Sequence, residues 1–153
     1  MNQNRRRNAF TLIEVLIVVI IMAVLAATII PQFSSSTKDA KESTLRFNLQ
    51  SMRAQIQRYR FDHNGAAPTT AAFTNQLTQH SNVTGGVSAT NTDGLHPFGP
   101  YMTEIAANPF NNLRGIVECT ARPTAEASAD TAGWQYDPVQ GEVYANTTGY
   151  FDQ

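Results

Sequence analysis

From Phe10 to Ile30 the chain runs through 21 consecutive residues with a single charge among them, the carboxylate of Glu14. As an α-helix such a run rises roughly 31 Å, the thickness of a hydrocarbon core, so it is long enough to span a bilayer. Arg5, Arg6 and Arg7 precede it. Basic residues flanking a span stay on the cytoplasmic side, which predicts a cytoplasmic N-terminus, one span, and export of everything from Pro31 onward. An ionisable group inside such a segment is costly to keep, so Glu14 is a functional residue for which a partner must be found.

Two plainer accounts fit less well. A secretory signal peptide has an apolar core of roughly 7–15 residues and then a small-residue cleavage site. Here the run is longer, and the best downstream site, Leu25-Ala26-Ala27, opens with a bulky Leu. A simple membrane anchor explains the length but gives no reason for Glu14.

Ala9-Phe10-Thr11-Leu12-Ile13-Glu14-Val15-Leu16, behind its basic leader, resembles the prepilin signature shared by type IV pilins and the pseudopilins of type II secretion systems. The resemblance implies that a prepilin peptidase cuts between Ala9 and Phe10 and methylates the new amine of Phe10. It also implies that Glu14, then the fifth residue, serves filament assembly. Ala9 stands where the family usually has Gly. Pro31 falls where many members carry a helix proline, and its missing N–H donor predicts a kink there.

The electrostatics of Glu14 point the same way. Cleavage would leave a positive amine at Phe10, four residues before Glu14 and on the same helical face. Glu14 also lies in the first turn, where the helix dipole favours negative charge. In a water-free bundle of helices, an unpaired carboxylate and an unpaired amine would each cost several kcal/mol, and placing one beside the other across neighbouring subunits relieves both. The expectation is that Glu14 pairs with the amino terminus of an adjacent copy and sets the axial step.

After Pro31 the chain turns polar but has neither Gly nor Pro until Gly65. Leu45, Leu49, Met52, Ile56 and Tyr59 recur at helical spacing, predicting an amphipathic continuation with one apolar stripe. Arg46, Arg53, Arg58 and Arg60 read as a solvated face mostly off that stripe, and Asn64-Gly65 as the stop. The predicted organisation is therefore a leader (1–9), a membrane or filament-core helix (10–30), its amphipathic continuation (31–64) and a globular head (65–153).

The head is too small for a large core of its own, so it should use the helix stripe as one wall. Residues 71–79, with Phe73 and Leu77 four apart, predict a short helix, and Gly85-Gly86 a stop or loop. Little periodicity follows from Val87 to Gly99. Ile116–Thr120 reads as a strand, with Cys119 as a small core residue in it, and 134–136 and 142–145 as a hairpin about Asp137–Gly141. With 121–132 as a loop, the expected sheet is small and antiparallel, giving an α+β, pilin-like fold. Gly99-Pro100-Tyr101, Asn108-Pro109-Phe110-Asn111 and Gly133-Trp134-Gln135-Tyr136-Asp137-Pro138 with Gly141 resemble the heads of G-type pseudopilins. Such heads typically end in an aspartate-rich calcium loop. Here residues 146–153 have no clustered carboxylates, so calcium ligands are not evident and no cofactor is expected.

The net charge of −1 conceals a separation: residues 34–62 hold six bases and three acids, and the chain beyond Asn64 two bases and eight acids. An acidic head argues against nucleic-acid binding and allows steering against the basic helix of another copy. One cysteine cannot close the disulfide that many type IV pilins carry, which favours a pseudopilin. His63, His80 and His96 are spaced by 17 and 16 residues and belong to no zinc, catalytic or phosphate-binding motif.

Taken with the resemblance, these residues predict a non-enzymatic subunit of a pilus-like filament, a type II secretion pseudopilin before a type IV pilin. A membrane-anchored periplasmic enzyme or binding protein is the third reading. The implied partners are copies of the chain, the prepilin peptidase, an inner-membrane platform protein, an assembly ATPase and membrane lipid.

Overall fold

A computed structural model describes residues 10–92, 94–127 and 131–151. The leader, with Ala9 of the expected cleavage site, lies outside the described residues. The chain divides into two compact units, Met1–Ala40 and Lys41–Gln153.

Helix α1, Leu12–Asp62, contributes to both units and continues through position 31. It ends as the sequence predicts. Asn64 and Gly65 take φ of 55° and 87°, in the left-handed region, and Gly65 N donates to Arg60 O at 2.8 Å, which caps the last turn.

In the second unit Leu45, Leu49, Met52, Ile56 and Tyr59 are all buried, and they form one wall of the head core. Against them pack Phe73 and Leu77 of α2 (Phe73–Thr78), Ile105, and Trp134, Tyr136, Val143 and Ala145 of the sheet. A short 3₁₀ turn, Thr70–Ala72, leads into α2. Burying so many large side chains in a domain this small is what makes the helix stripe indispensable to the head.

The segment after α2 is more ordered than its composition predicts. Strands β1 (His80–Ser81) and β2 (Val87–Ser88) pair antiparallel around a turn. Asn82 holds that turn by accepting from the Thr84 and Gly86 amides, and buried Gln76 ties it to α2 by donating to Gly85 O. Two-residue strands have no room for alternation, so no period could reveal them.

The C-terminal sheet comprises β3 (Gly115–Glu118), β4 (Ala132–Asp137) and β5 (Glu142–Ala145), in that spatial order. The β4–β5 hairpin is antiparallel, as expected. The expectation of a wholly antiparallel sheet is corrected by β3, which pairs with β4 in parallel. Parallel neighbours need a crossover of a dozen residues or more, and residues 119–131 supply it. The two entry points pass very close: a Cβ on Gly133 would lie 2.0 Å from Leu113 O, and one on Gly115 2.1 Å from Thr131 O. Only residues without a side chain allow that approach.

Cys119 is also corrected, since it sits one residue past β3 and is half-buried rather than a core side chain. Burial, then the charges of Asp137 and Glu118, push its thiol above its ordinary value of about 9. Iodoacetamide should therefore label Cys119 several-fold more slowly than glutathione at pH 7.5, and its rate should go on rising with pH after that of glutathione has levelled off. Equal rates at neutral pH would contradict this environment.

Two of the arginines read as solvated in fact fasten the helix to the hairpin. Arg53 donates to Val143 O through Nη2 at 2.7 Å and pairs with Glu142 at 3.3 Å, while Arg60 Nη1 donates to Gln140 O at 3.2 Å.

Candidate functional site

Within the first unit, the apolar side chains of α1 have nothing to pack on. Phe10 and Leu12 are each 84% exposed, and the most apolar window of the helix is wholly unburied. By length and composition α1 is able to cross a membrane, and among the described residues it is the one helix that is. So much unpaired hydrophobic surface requires lipid or other helices around it.

At the head of this segment Glu14 is engaged within its own chain. Its Oε2 accepts from Thr11 N at 2.8 Å and from Thr11 Oγ1 at 2.7 Å, and Thr11 Oγ1 in turn accepts from Glu14 N at 3.3 Å. With Leu12 as the first helical residue, this is a capping box. The T-x-x-E pattern that encodes it stands in the sequence at residues 11–14. The box holds the carboxylate at the helix N-terminus, four residues along the chain from Phe10. Phe10 itself lies outside the helix, one residue before the cap, so the shared helical face expected for Phe10 and Glu14 is not formed here.

The head holds no comparable reactive arrangement among the described residues. His63 is buried against Tyr59, its ring stacked at 3.7 Å and its Nδ1 2.7 Å from Tyr59 O, a packing role. His80 lies in β1 and His96 in the segment between β2 and β3. No three His, Cys, Asp or Glu side chains among the described residues converge as metal ligands. An open polar hollow of about 380 Å³ is lined by Arg58, Asp62, Phe98 and Tyr101. Its carboxylate, Asp62, is already bonded to Arg58 Nε at 3.2 Å and to the Tyr101 hydroxyl at 3.1 Å. Burial, then that bond to Asp62, holds the Tyr101 phenol well above its ordinary range, so it stays protonated as a donor.

The turn-rich motifs of the head act as girders. Asn108, fully buried, donates through Nδ2 to Gly133 O at 2.8 Å and to Thr147 Oγ1 at 2.9 Å, and accepts from Phe110 N. Trp134 Nε1 donates to Ala106 O at 2.8 Å. The C-terminal segment is held by Asn146, which donates to Ala132 O and accepts from Ala127 N, and by Tyr150, which donates to Glu42 at 2.8 Å.

One long N-terminal helix followed by a small head with a short helix and a mixed sheet is a pilin-like α+β arrangement. Residues 4–30 match the prokaryotic N-terminal methylation motif. The chain is similar to proteins named type II secretion system core protein G. That of Pseudomonas aeruginosa is 29% identical over 110 residues, 72% of each chain. That of Dickeya chrysanthemi is 30% identical over 66 residues, 43% of this chain and 42% of the relative, and that of Aeromonas hydrophila 29% over 68 residues, 44% and 47%. No solved structure matches the chain significantly.

Proposed function

We propose that this chain is a G-like pseudopilin, a non-enzymatic structural subunit that polymerises into a fibre of a type II secretion system. The observation that carries the reading is the unburied apolar half of α1 with one carboxylate in its first turn. As a precursor it sits in the membrane with the basic leader on the cytoplasmic side and the head exported. A prepilin peptidase cleaves it after Ala9 and methylates Phe10. The helix then leaves lipid for a bundle of like helices, where Glu14 meets the Phe10 amine of a neighbouring copy. Both environments satisfy the apolar surface equally well, so the exchange needs an energy source and a guide, which are the roles of an assembly ATPase and a platform protein. The absence of a second cysteine accords with a pseudopilin rather than a disulfide-closed pilin.

Mass spectrometry of the native amino terminus tests the reading at its first covalent step. The expected product begins at Phe10 and carries one methyl group. A chain that retains Met1, or one cut near Ala27, would overturn it.

A further inference from the structure

The hollow of about 380 Å³ is walled on one side by α1 and on the other by the loop 97–101, both within the second unit. Gln55, Arg58 and Asp62 follow at spacings of three and four, which sets them on one helical face. The opposite wall is held in place by its backbone. Phe98 exchanges two bonds with Ser81, at 2.9 and 3.1 Å, and Tyr101 N donates to Leu77 O at 2.9 Å. Gly99, at a φ of 72°, passes so near Gln79 O that a Cβ would lie 2.6 Å from it. Phe98 and Tyr101 bring aromatic surface to the lining, beside Pro97 and Pro100. The polar groups are only partly used. Asp62 Oδ2 accepts from Arg58 Nε and from the Tyr101 hydroxyl, which fixes the carboxylate in position. Among the described residues nothing bonds the terminal nitrogens of Arg58, Asp62 Oδ1 or the Gln55 amide.

We propose that this hollow is a binding site for a neutral saccharide. Arg58 supplies donors only, Asp62 Oδ1 accepts only, and the Gln55 amide does both. Neighbouring hydroxyls of a sugar ring match that set, since a hydroxyl can accept from the guanidinium while donating to the carboxylate. The C–H face of the ring is apolar and fits against Phe98, Tyr101 and the prolines. Charge excludes other small ligands: Asp62 repels an anion, Arg58 repels a cation, and their pairing at 3.2 Å leaves the hollow close to neutral. A wholly apolar ligand would strand the open donors and acceptors. An extended peptide bonds main chain to main chain, but the backbone of Phe98 is committed to Ser81 and the Tyr101 amide to Leu77. Ligand sites run from roughly 300 to 1,000 Å³, so this one suits a short stretch of glycan. It lies within the second unit and does not depend on the fibre reading.

The test is saturation-transfer NMR on the full chain in dodecylphosphocholine, a detergent without a sugar group, with cellotriose and chitotriose as probes. The expected result is transfer to the ring C–H protons of at least one of them. Arg58→Ala removes donors and Gln55→Phe fills the hollow, and each should lower the affinity at least tenfold. Both positions lie off the core stripe, so each head should resist protease as the parent does; where one does not, the other variant decides. Arg46→Ala, which takes the same charge from α1 outside the hollow, should leave the affinity unchanged. No transfer to either trisaccharide would overturn the proposal, as would an affinity that survives both substitutions or falls equally with Arg46→Ala. A neutral peptide, Gly-Ser-Gly-Ser, is the third probe. Transfer to it as strong as to the sugars would mean a peptide site and not a saccharide site.

Discussion

Glu14→Ala should leave the chain inserted in the membrane and cut fibre yield by about two orders of magnitude. Leaving one member of a buried charge pair without its partner costs about 3–5 kcal/mol, which exceeds a hundredfold in an equilibrium. The capping box makes the experiment sharper than a single substitution. Thr11→Ala removes the hydroxyl that bonds Glu14 and so weakens the cap, worth about 0.5–2 kcal/mol, while keeping the charge. Glu14→Gln does the reverse, since an amide still closes a capping box but has no charge to offer an amine. If the carboxylate acts between copies, Glu14→Gln assembles as poorly as Glu14→Ala, and Thr11→Ala loses far less. If Glu14→Gln assembles like the parent and Thr11→Ala fails, the residue acts only as a cap. Fibre yield sheared from cells, normalised to inserted subunit, is the measurement.

That cap illustrates where a sequence speaks and where it is overlooked. The stripe from Leu45 to Tyr59 was legible because each member answers to one partner surface, and a period of 3.6 records it directly. The β4–β5 hairpin was legible for a similar reason, its apolar segments flanking a turn closed by Asp137, whose Oδ1 accepts from Val139 N and Gln140 N. The direction of β3 was not. Four residues, Gly115 to Glu118, carry no information about orientation, which is decided by where the 119–131 connection can pass and by the close approach at Gly115 and Gly133. Arg53 and Arg60 had the pattern of a wet face because the carbonyls they reach, on Val143 and Gln140, lie about 80 to 90 positions away in the chain. Asn108 likewise read as a turn former; that it is also buried depends on Gly133 and Thr147, which only the folded head brings near. In the candidate site, Glu14 was conspicuous as a charge among apolar residues. Its bond to Thr11 was equally encoded, by a three-residue spacing that an apolar run disguises.

The largest effect on the head is expected from Trp134, the chain's one tryptophan, which is fully buried in the middle strand of the sheet. It pairs with Ile116 of β3 on one side and Ala145 of β5 on the other, and its side chain lies in the same cluster as the α1 stripe. Trp134→Ala should cost about 3–5 kcal/mol, a large share of the roughly 5–15 kcal/mol that holds a domain together. Trp134→Phe keeps most of the ring volume but strands the carbonyl of Ala106, which now accepts from Nε1 at 2.8 Å; its cost should be smaller, about 1–3 kcal/mol. Limited proteolysis of the full chain in detergent is the readout, with cleavage sites mapped to the head. Trp134→Ala should be cut within residues 65–153 under conditions that leave the parent head intact, and Trp134→Phe should fall between. The α1 segment before Ala40, which belongs to the other compact unit, should stay helical in both variants. A head equally resistant in all three proteins would mean that Trp134 is not the element on which helix and sheet close.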